Sequence, residues 1–263
     1  MRKILRIIPV LFIKNGHIVR SQNFREHQVI GNVINQCARY NSWNIDELIY
    51  IDISDSKTYD SLRDDHRVKS FKNIEEIVEG ISNVCFAPLT FGGGIKSLDD
   101  MKVRIYNGAD KIIINSLLLD NPKIIESAAR TFGSQAIVAS LDYKVINGEC
   151  FFFKSHGKLK RKIIVQNFLK DLNNMGVGEI FIHSIARDGN ASGFDLENAK
   201  VIKENTNLPV ILCGGAGNEF DFLDASENTD VDALAAGNFF HFKELSYINL
   251  KRFLKKSKRN VRY

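Results

Sequence analysis

Nothing in the 263 residues forms an uninterrupted apolar stretch of membrane-spanning length. The first uncharged apolar run, residues 7–13, lies between Arg6 and Lys14 and is broken by Pro9, far short of the ~20 residues that cross a bilayer. No small-residue cleavage site follows it, so neither end is set aside as a targeting segment and no membrane partner is expected. Cysteine is scarce and scattered: Cys37, Cys85, Cys150 and Cys213 form no C-x-x-C pair and sit beside no histidine cluster. That spacing excludes a zinc knuckle and a disulfide framework and points to a reduced, cytoplasmic setting. No metal and no cofactor is called for. Charge of one sign is in excess only at one end. The chain carries 36 Lys and Arg against 31 Asp and Glu, while residues 251–262 carry seven positive charges and no negative one. A solvated C-terminal helix with a frayed end accounts for that tail, and no aromatic-interleaved basic motif elsewhere suggests a nucleic-acid partner. With 44 % apolar and 25 % charged residues, the composition is that of a folded globular chain rather than a disordered one.

Eight short β-branched runs recur, at residues 5–12, 47–53, 87–91, 111–115, 136–142, 179–184, 210–213 and 233–236. Several are apolar almost throughout, as strands covered on both faces are. Helical segments lie between them, with starts at Ser97-Leu-Asp-Asp100 and at Asp120-Asn-Pro122, where proline falls in the first turn. Alternating β and α gives an α/β fold with right-handed crossovers. An internal repeat favours closure over an open sheet. Leu11 to Gly16 matches Leu141 to Gly148, Glu47 to Ile51 matches Glu179 to His183, and Phe91 to Ile95 matches Cys213 to Gly217, all in order. Two half-barrels of four βα units make a single (β/α)8 TIM barrel, a fold that takes about 250 residues. One domain over residues 1–263, with a basic tail from about 251, is expected.

Chemistry in such a barrel sits where strands end. Gly92, Gly93 and Gly94 follow the third strand, and Gly214, Gly215 and Gly217 follow the seventh, each before a helix whose bare N–H groups can hold phosphate. Asn115 and Ser116 end the fourth strand, and Gly237 and Asn238 the eighth. Two related anion sites follow, for a ligand with two phosphates or two phosphorylated ends. Asp188 and Gly189 reach the same face after the sixth strand. Asp142 ends the fifth strand, where a carboxylate serves as general acid or base or simply caps a loop. Its repeat mate is Phe12. Phe12, Asp52 and His183 are further candidates for contact with substrate.

At the opposite end, side-chain alternation turns Arg6, Glu47, Lys111 and Glu179 inward beneath aliphatic layers that include Ile8, Ile49, Ile113 and Phe181. Four mutually neutralising charges there read either as structural ion pairs, a poor source of stability, or as a polar gate into an apolar interior.

These features together resemble the HisF-type cyclase subunit of imidazole glycerol phosphate synthase over nearly the whole chain. The matching stretches include Ile45-Asp-Glu-Leu48, Gly92-Gly-Gly-Ile95, Gly108-Ala-Asp-Lys111, Asn121-Pro122, Thr131-Phe-Gly-Ser-Gln135, Arg187-Asp-Gly189 and Gly214-Gly-Ala-Gly217. The resemblance implies a HisH-like glutaminase docked at the barrel bottom, near Asp110. It further implies ammonia passing a gate of Arg6, Glu47, Lys111 and Glu179, and a phosphorylated substrate at the top. One departure stands out. The family reads C-L-D-V-K at the end of its first strand, with a catalytic aspartate; here the stretch is Val10-Leu-Phe-Ile-Lys14. Phe12 cannot transfer a proton, whereas the second catalytic aspartate is kept as Asp142. An apolar residue at this position, the Ala87-Pro-Leu-Thr-Phe-Gly-Gly-Gly94 stretch and Cys213 are similar to the HisF-like branch of surface-polysaccharide, including lipopolysaccharide, pathways. That branch is associated with converting an acetamido group of a nucleotide-linked sugar to an acetamidino group, with a separate amidotransferase-like protein. The alternatives are the cyclase of histidine biosynthesis and a non-catalytic scaffold that activates a glutaminase.

Overall fold

The computed structural model describes residues 3–55, 59, 71–155, 157–161 and 165–262; the expected domain limits at 1 and 263 lie outside them. The first half of the chain runs β1 (Arg6–Lys14), β2 (His17–Gln22), β3 (Glu26–Asn32), α1 (Val33–Asn41), β4 (Leu48–Asp52), α2 (Ile74–Ser82), β5 (Leu89–Gly92), α3 (Leu98–Tyr106), β6 (Lys111–Ile114), α4 (Ser116–Asp120) and α5 (Pro122–Phe132). The second half runs β7 (Ile137–Ile146), β8 (Glu149–Lys154), β9 (Leu159–Arg161), α6 (Val165–Asn174), β10 (Glu179–Ser184), α7 (Leu196–Glu204), β11 (Val210–Cys213), α8 (Glu219–Asn228), β12 (Ala233–Ala236), α9 (Asn238–His241) and α10 (Ser246–Lys256).

Eight strands pair in parallel in the order β1, β4, β5, β6, β7, β10, β11, β12, and β12 pairs with β1. The ring is therefore closed, and the chain is a (β/α)8 barrel. Side-chain alternation splits its apolar residues in two. Leu11, Tyr50, Phe91 and Leu212 pack outward against the helices, while Ile8, Val10, Phe12, Ile49, Ile113, Val138, Phe181 and Ile211 fill the inside. Helix starts follow local chemistry: Ser97 caps α3, Asn218 and Asp221 form a reciprocal capping box on α8, and Pro122 opens α5.

The repeat is visible in strand register. Phe12 lies opposite Ile51, as Asp142 lies opposite His183. The glycine clusters need a one-residue correction. The positions at positive φ are Gly93 and Gly94 in one half and Gly214 and Gly215 in the other, so Gly92 corresponds to Cys213, not to Gly214. Each half also carries an antiparallel hairpin that the eight-run reading lacks: β2 and β3 after β1, and β8 and β9 after β7. Both hairpins begin at an Asn-Gly pair, Asn15-Gly16 and Asn147-Gly148, with all four φ values positive.

The basic tail departs from the solvated helix expected of it. Leu250 and Leu254 are fully buried, and Lys251, 7 % exposed, places its ammonium 2.6 Å from Asp46. Beyond α10 the chain returns to its start, where Leu5 donates its N–H to the Asn260 carbonyl and bridges Val261.

Candidate functional site

At the bottom of the barrel four charges meet in a closed square. Arg6 contacts Glu47 at 2.6 Å and Glu179 at 2.5 Å, and Lys111 contacts the same two carboxylates at 3.2 and 2.9 Å. Burial opposes the Arg6 charge, but Glu179 and Glu47 outweigh it and hold the guanidinium pKa above its ordinary value. Each carboxylate spends one oxygen on each cation, so no charge in the square is left without a counter-charge. Glu47 lies just before β4, and the other three open their strands. Asp110, exposed beside Lys111, accepts the Leu89 N–H at 2.7 Å and so ties the start of β5 to this floor. Above the square, Ile8, Ile49, Ile113 and Phe181 belong to one apolar cluster that continues to Phe12.

At the top, β7, the end of β10 and the loop after it bring together three ionisable groups; Asp142 does not end its strand as expected but lies within β7, which runs on to Ile146 to pair with β8. The His183 ring, 1 % exposed, lies between Asp142, 3.5 Å from Nδ1, and Asp188, 3.5 Å from Nε2. Burial pulls the imidazole towards neutrality, but the two carboxylates outweigh it and push its pKa up to about 9. For Asp188, burial favours the neutral acid, yet His183 prevails and holds it below the usual carboxylate value. The Cys213 thiol, also fully buried, is pushed up by burial and then by these two carboxylates. Phe12 stacks on the histidine at 5.9 Å between centroids, and Phe24 meets it edge-on at 5.1 Å. Phe12 therefore occupies the position related by the repeat to Asp142, with a ring where that half of the barrel would need a proton carrier.

The two glycine turns stand on either side of this cluster. A side chain at Gly93 would collide with the Asp52 backbone and one at Gly214 with the Ser184 backbone, and Asp52 and Ser184 are themselves repeat mates. These close approaches at positive φ are open only to glycine. Beside the first turn, the Asn115 carboxamide is shielded from solvent with neither its nitrogen nor its oxygen hydrogen-bonded. Ser116 accepts the Ser155 N–H at 3.0 Å from the loop between β8 and β9. Beside the second turn, Gly237 packs near the Val10 carbonyl, Asn238 exchanges hydrogen bonds with the Ser21 backbone, and Gly189 packs onto the Ser21 carbonyl.

Asp52 does not join the mouth. Its neighbour Ile51 faces the interior, so the next residue turns outward, and its oxygens accept from Ser54 at 2.6 Å and Tyr59 at 2.6 Å. Its carboxylate thus ties the end of β4 to the loop that follows. Conversely, the sequence reading left out Asn23, Phe24, Phe151 and Phe153, which the two hairpins bring over the barrel. Phe24, Phe151 and Phe153 join the interior apolar cluster, and Asn23 donates its N–H to the Asp188 carbonyl at 2.7 Å. The available signal was the pair of Asn-Gly dipeptides, each a hairpin turn rather than the end of a strand.

Comparison with known proteins bears on the whole chain. The family described as "Histidine biosynthesis protein" matches residues 6–246. Proteins named imidazole glycerol phosphate synthase subunit HisF are similar from end to end. One from a Thermotoga species is 37 % identical over 98 % of this chain and 97 % of its own. One from Sulfolobus acidocaldarius is 36 % identical over 98 % of both chains, and one from a Hydrogenobaculum species 34 % identical over 98 % of both.

Proposed function

Because the chain belongs to the histidine biosynthesis protein family and is a HisF-type synthase barrel, we propose that it receives glutamine-derived ammonia from a glutaminase subunit docked beneath Arg6, Glu47, Asp110 and Lys111. Ammonia entering past the four-charge square meets the apolar interior of Ile8, Ile49, Ile113 and Phe181, where it stays unprotonated and nucleophilic. It emerges beside Asp142. There the two glycine turns, with Asn115, Ser116, Asp188, Gly189, Gly237 and Asn238, hold a phosphorylated ligand by backbone N–H groups and small polar side chains.

The use made of the ammonia turns on Phe12. Cyclisation needs proton transfer on two sides of the substrate, and one side here is an aromatic ring stacked on His183. Amidination needs less of the barrel. An acetamido group and ammonia give an acetamidino group and water, with the proton shed by the attacking nitrogen taken up at Asp142. A separate amidotransferase-like protein takes part in this exchange of oxygen for nitrogen. The reading we favour is therefore amidination of an acetamido group on a nucleotide-linked surface sugar, and Phe12 carries it.

The names of the relatives favour a second reading, the cyclase of histidine biosynthesis. Assay with ammonia and the bisphosphorylated histidine precursor separates the two. A positioned acid or base contributes about 10²–10⁴-fold to rate, so the unmodified chain should show little or no cyclase turnover and should not rescue a histidine auxotroph lacking its cyclase. Phe12→Asp should restore a trace, and adding Asp142→Asn should abolish it. Robust turnover by the unmodified chain returns the protein to histidine synthesis.

A further inference from the structure

The apolar column inside the barrel ends at a group that neither reading employs. His183 lies near the end of β10 at the level of Asp142 within β7, and the two residues are register partners. Its ring lies within ion-pair range of two carboxylates, with Nδ1 3.5 Å from Asp142 and Nε2 3.5 Å from Asp188, and Nε2 makes no hydrogen bond. Two carboxylates on opposite sides of one buried ring favour its cationic form, in which both nitrogens carry protons.

The carboxylate on the far side leads away from the barrel. Asp188 accepts the Phe24 N–H at 3.2 Å through its side chain, and its carbonyl accepts the Asn23 N–H at 2.7 Å. Both donors lie in the turn between β2 and β3. The Phe24 ring returns to meet His183 edge-on, with 87° between planes, and Phe12 covers a face of the same histidine. A continuous line of contacts thus runs from the hairpin through Asp188 and His183 to Asp142. The other groups around the ring are Phe181 on β10 and Cys213, buried on β11 and its register partner. Behind Phe24 stands His27 of β3, and Ser140 of β7 hydrogen-bonds Asp142 at 3.4 Å.

We infer that His183 is a positioning residue that ties the β2–β3 hairpin over the barrel mouth to the carboxylate of Asp142. Lifting the hairpin strips Asp188 of the Phe24 N–H and admits water to the histidine, so Asp142 loses its fixed counter-ion as the mouth opens. Closure of the hairpin and the placing of the Asp142 carboxylate are one event. Charge follows the same logic. With a pKa raised to about 9 from an ordinary value of about 6.5, His183 contributes stability that is fully present below the ordinary value and is lost as pH rises through the folded one.

The test uses the full chain and needs no turnover, so a failed amidination assay leaves it intact. Imidazole nitrogen resonances of His183, assigned by their loss in His183→Gln, should show a doubly protonated ring at neutral pH that titrates near the raised value. In His183→Gln the amides of Asn23 and Phe24 should exchange with solvent about 10–100-fold faster, as befits loss of support for the residue whose carbonyl and carboxylate accept them. The amide of Phe91, in the β5 ladder, should be unchanged. Asp188→Asn keeps the ring and should both lower its titration and release the same two amides. A singly protonated ring titrating near its ordinary value overturns the inference, as does unchanged hairpin exchange in either folded variant. If neither variant folds, the titration of the unmodified chain decides.

Discussion

Lys251 and Lys256 belong to the same helix and the same basic run, yet they stand in opposite physical situations. Lys256 is exposed, while Lys251 is buried against Asp46, whose other oxygen accepts the Ile7 N–H at 2.9 Å. Removing one partner of such a pair leaves a charge stranded out of water, which costs about 3–5 kcal/mol. Lys251→Ala should lower unfolding free energy in urea by that amount, whereas Lys256→Ala should change it by no more than ~0.5 kcal/mol. Composition counts the two lysines alike, because only tertiary burial separates them. His183 was obscured in the same way. Its aspartate partners come from another strand and from a loop, and no spacing in the sequence brings the three together. Asp142 and Phe12, by contrast, were legible because the repeat aligns them.

Among elements, the barrel strands announce themselves, since strands covered on both faces are runs of Ile, Val and Leu. The hairpins do not. β3 is largely exposed or half-buried, and its sequence Glu-His-Gln-Val-Ile-Gly-Asn lacks a clean alternation, so its pairing is set by the turn before it and by the barrel beneath. The turns themselves differ in a measurable way. Gly16 and Gly148 have φ of 80° and 78°, but a side-chain carbon at Gly148 meets nothing within 4 Å, whereas one at Gly16 comes 3.3 Å from the Tyr59 carbonyl. Gly148→Ala should therefore cost only the left-handed backbone penalty, about 1–2 kcal/mol. Gly16→Ala should cost more, and paired urea titrations of the two variants test the order. Both hairpins matter to the site because they bring Phe24, Phe151 and Phe153 into its apolar cover.

For the whole molecule, the fold was readable from alternation and repeat, which together favour a ring, while the shape of the mouth was not, because it depends on excursions from that ring. The floor was readable from parity: counting inward positions down from Phe12 and His183 ends on Arg6 and Glu179, which meet at 2.5 Å. The two glutamates of the square are repeat mates, but both cations come from the first half of the chain, so the floor is less symmetric than the barrel above it. Lys111→Ala removes one of the two cations bridging Glu47 and Glu179. In complex with the proposed glutaminase subunit, this variant should hydrolyse glutamine without matching product, and added ammonia should restore product formation. Normal coupling, with no advantage from free ammonia, counts against a gate. The floor has one further property. Two positive and two negative charges sum to zero, with contacts of 2.5–3.2 Å, well inside the screening distance of about 8 Å in physiological salt. Ions in solution will weaken the attractions of the exposed lysines and arginines of the C-terminal tail more than those among these four groups, so moderate salt should loosen the tail's contacts before it loosens the barrel floor.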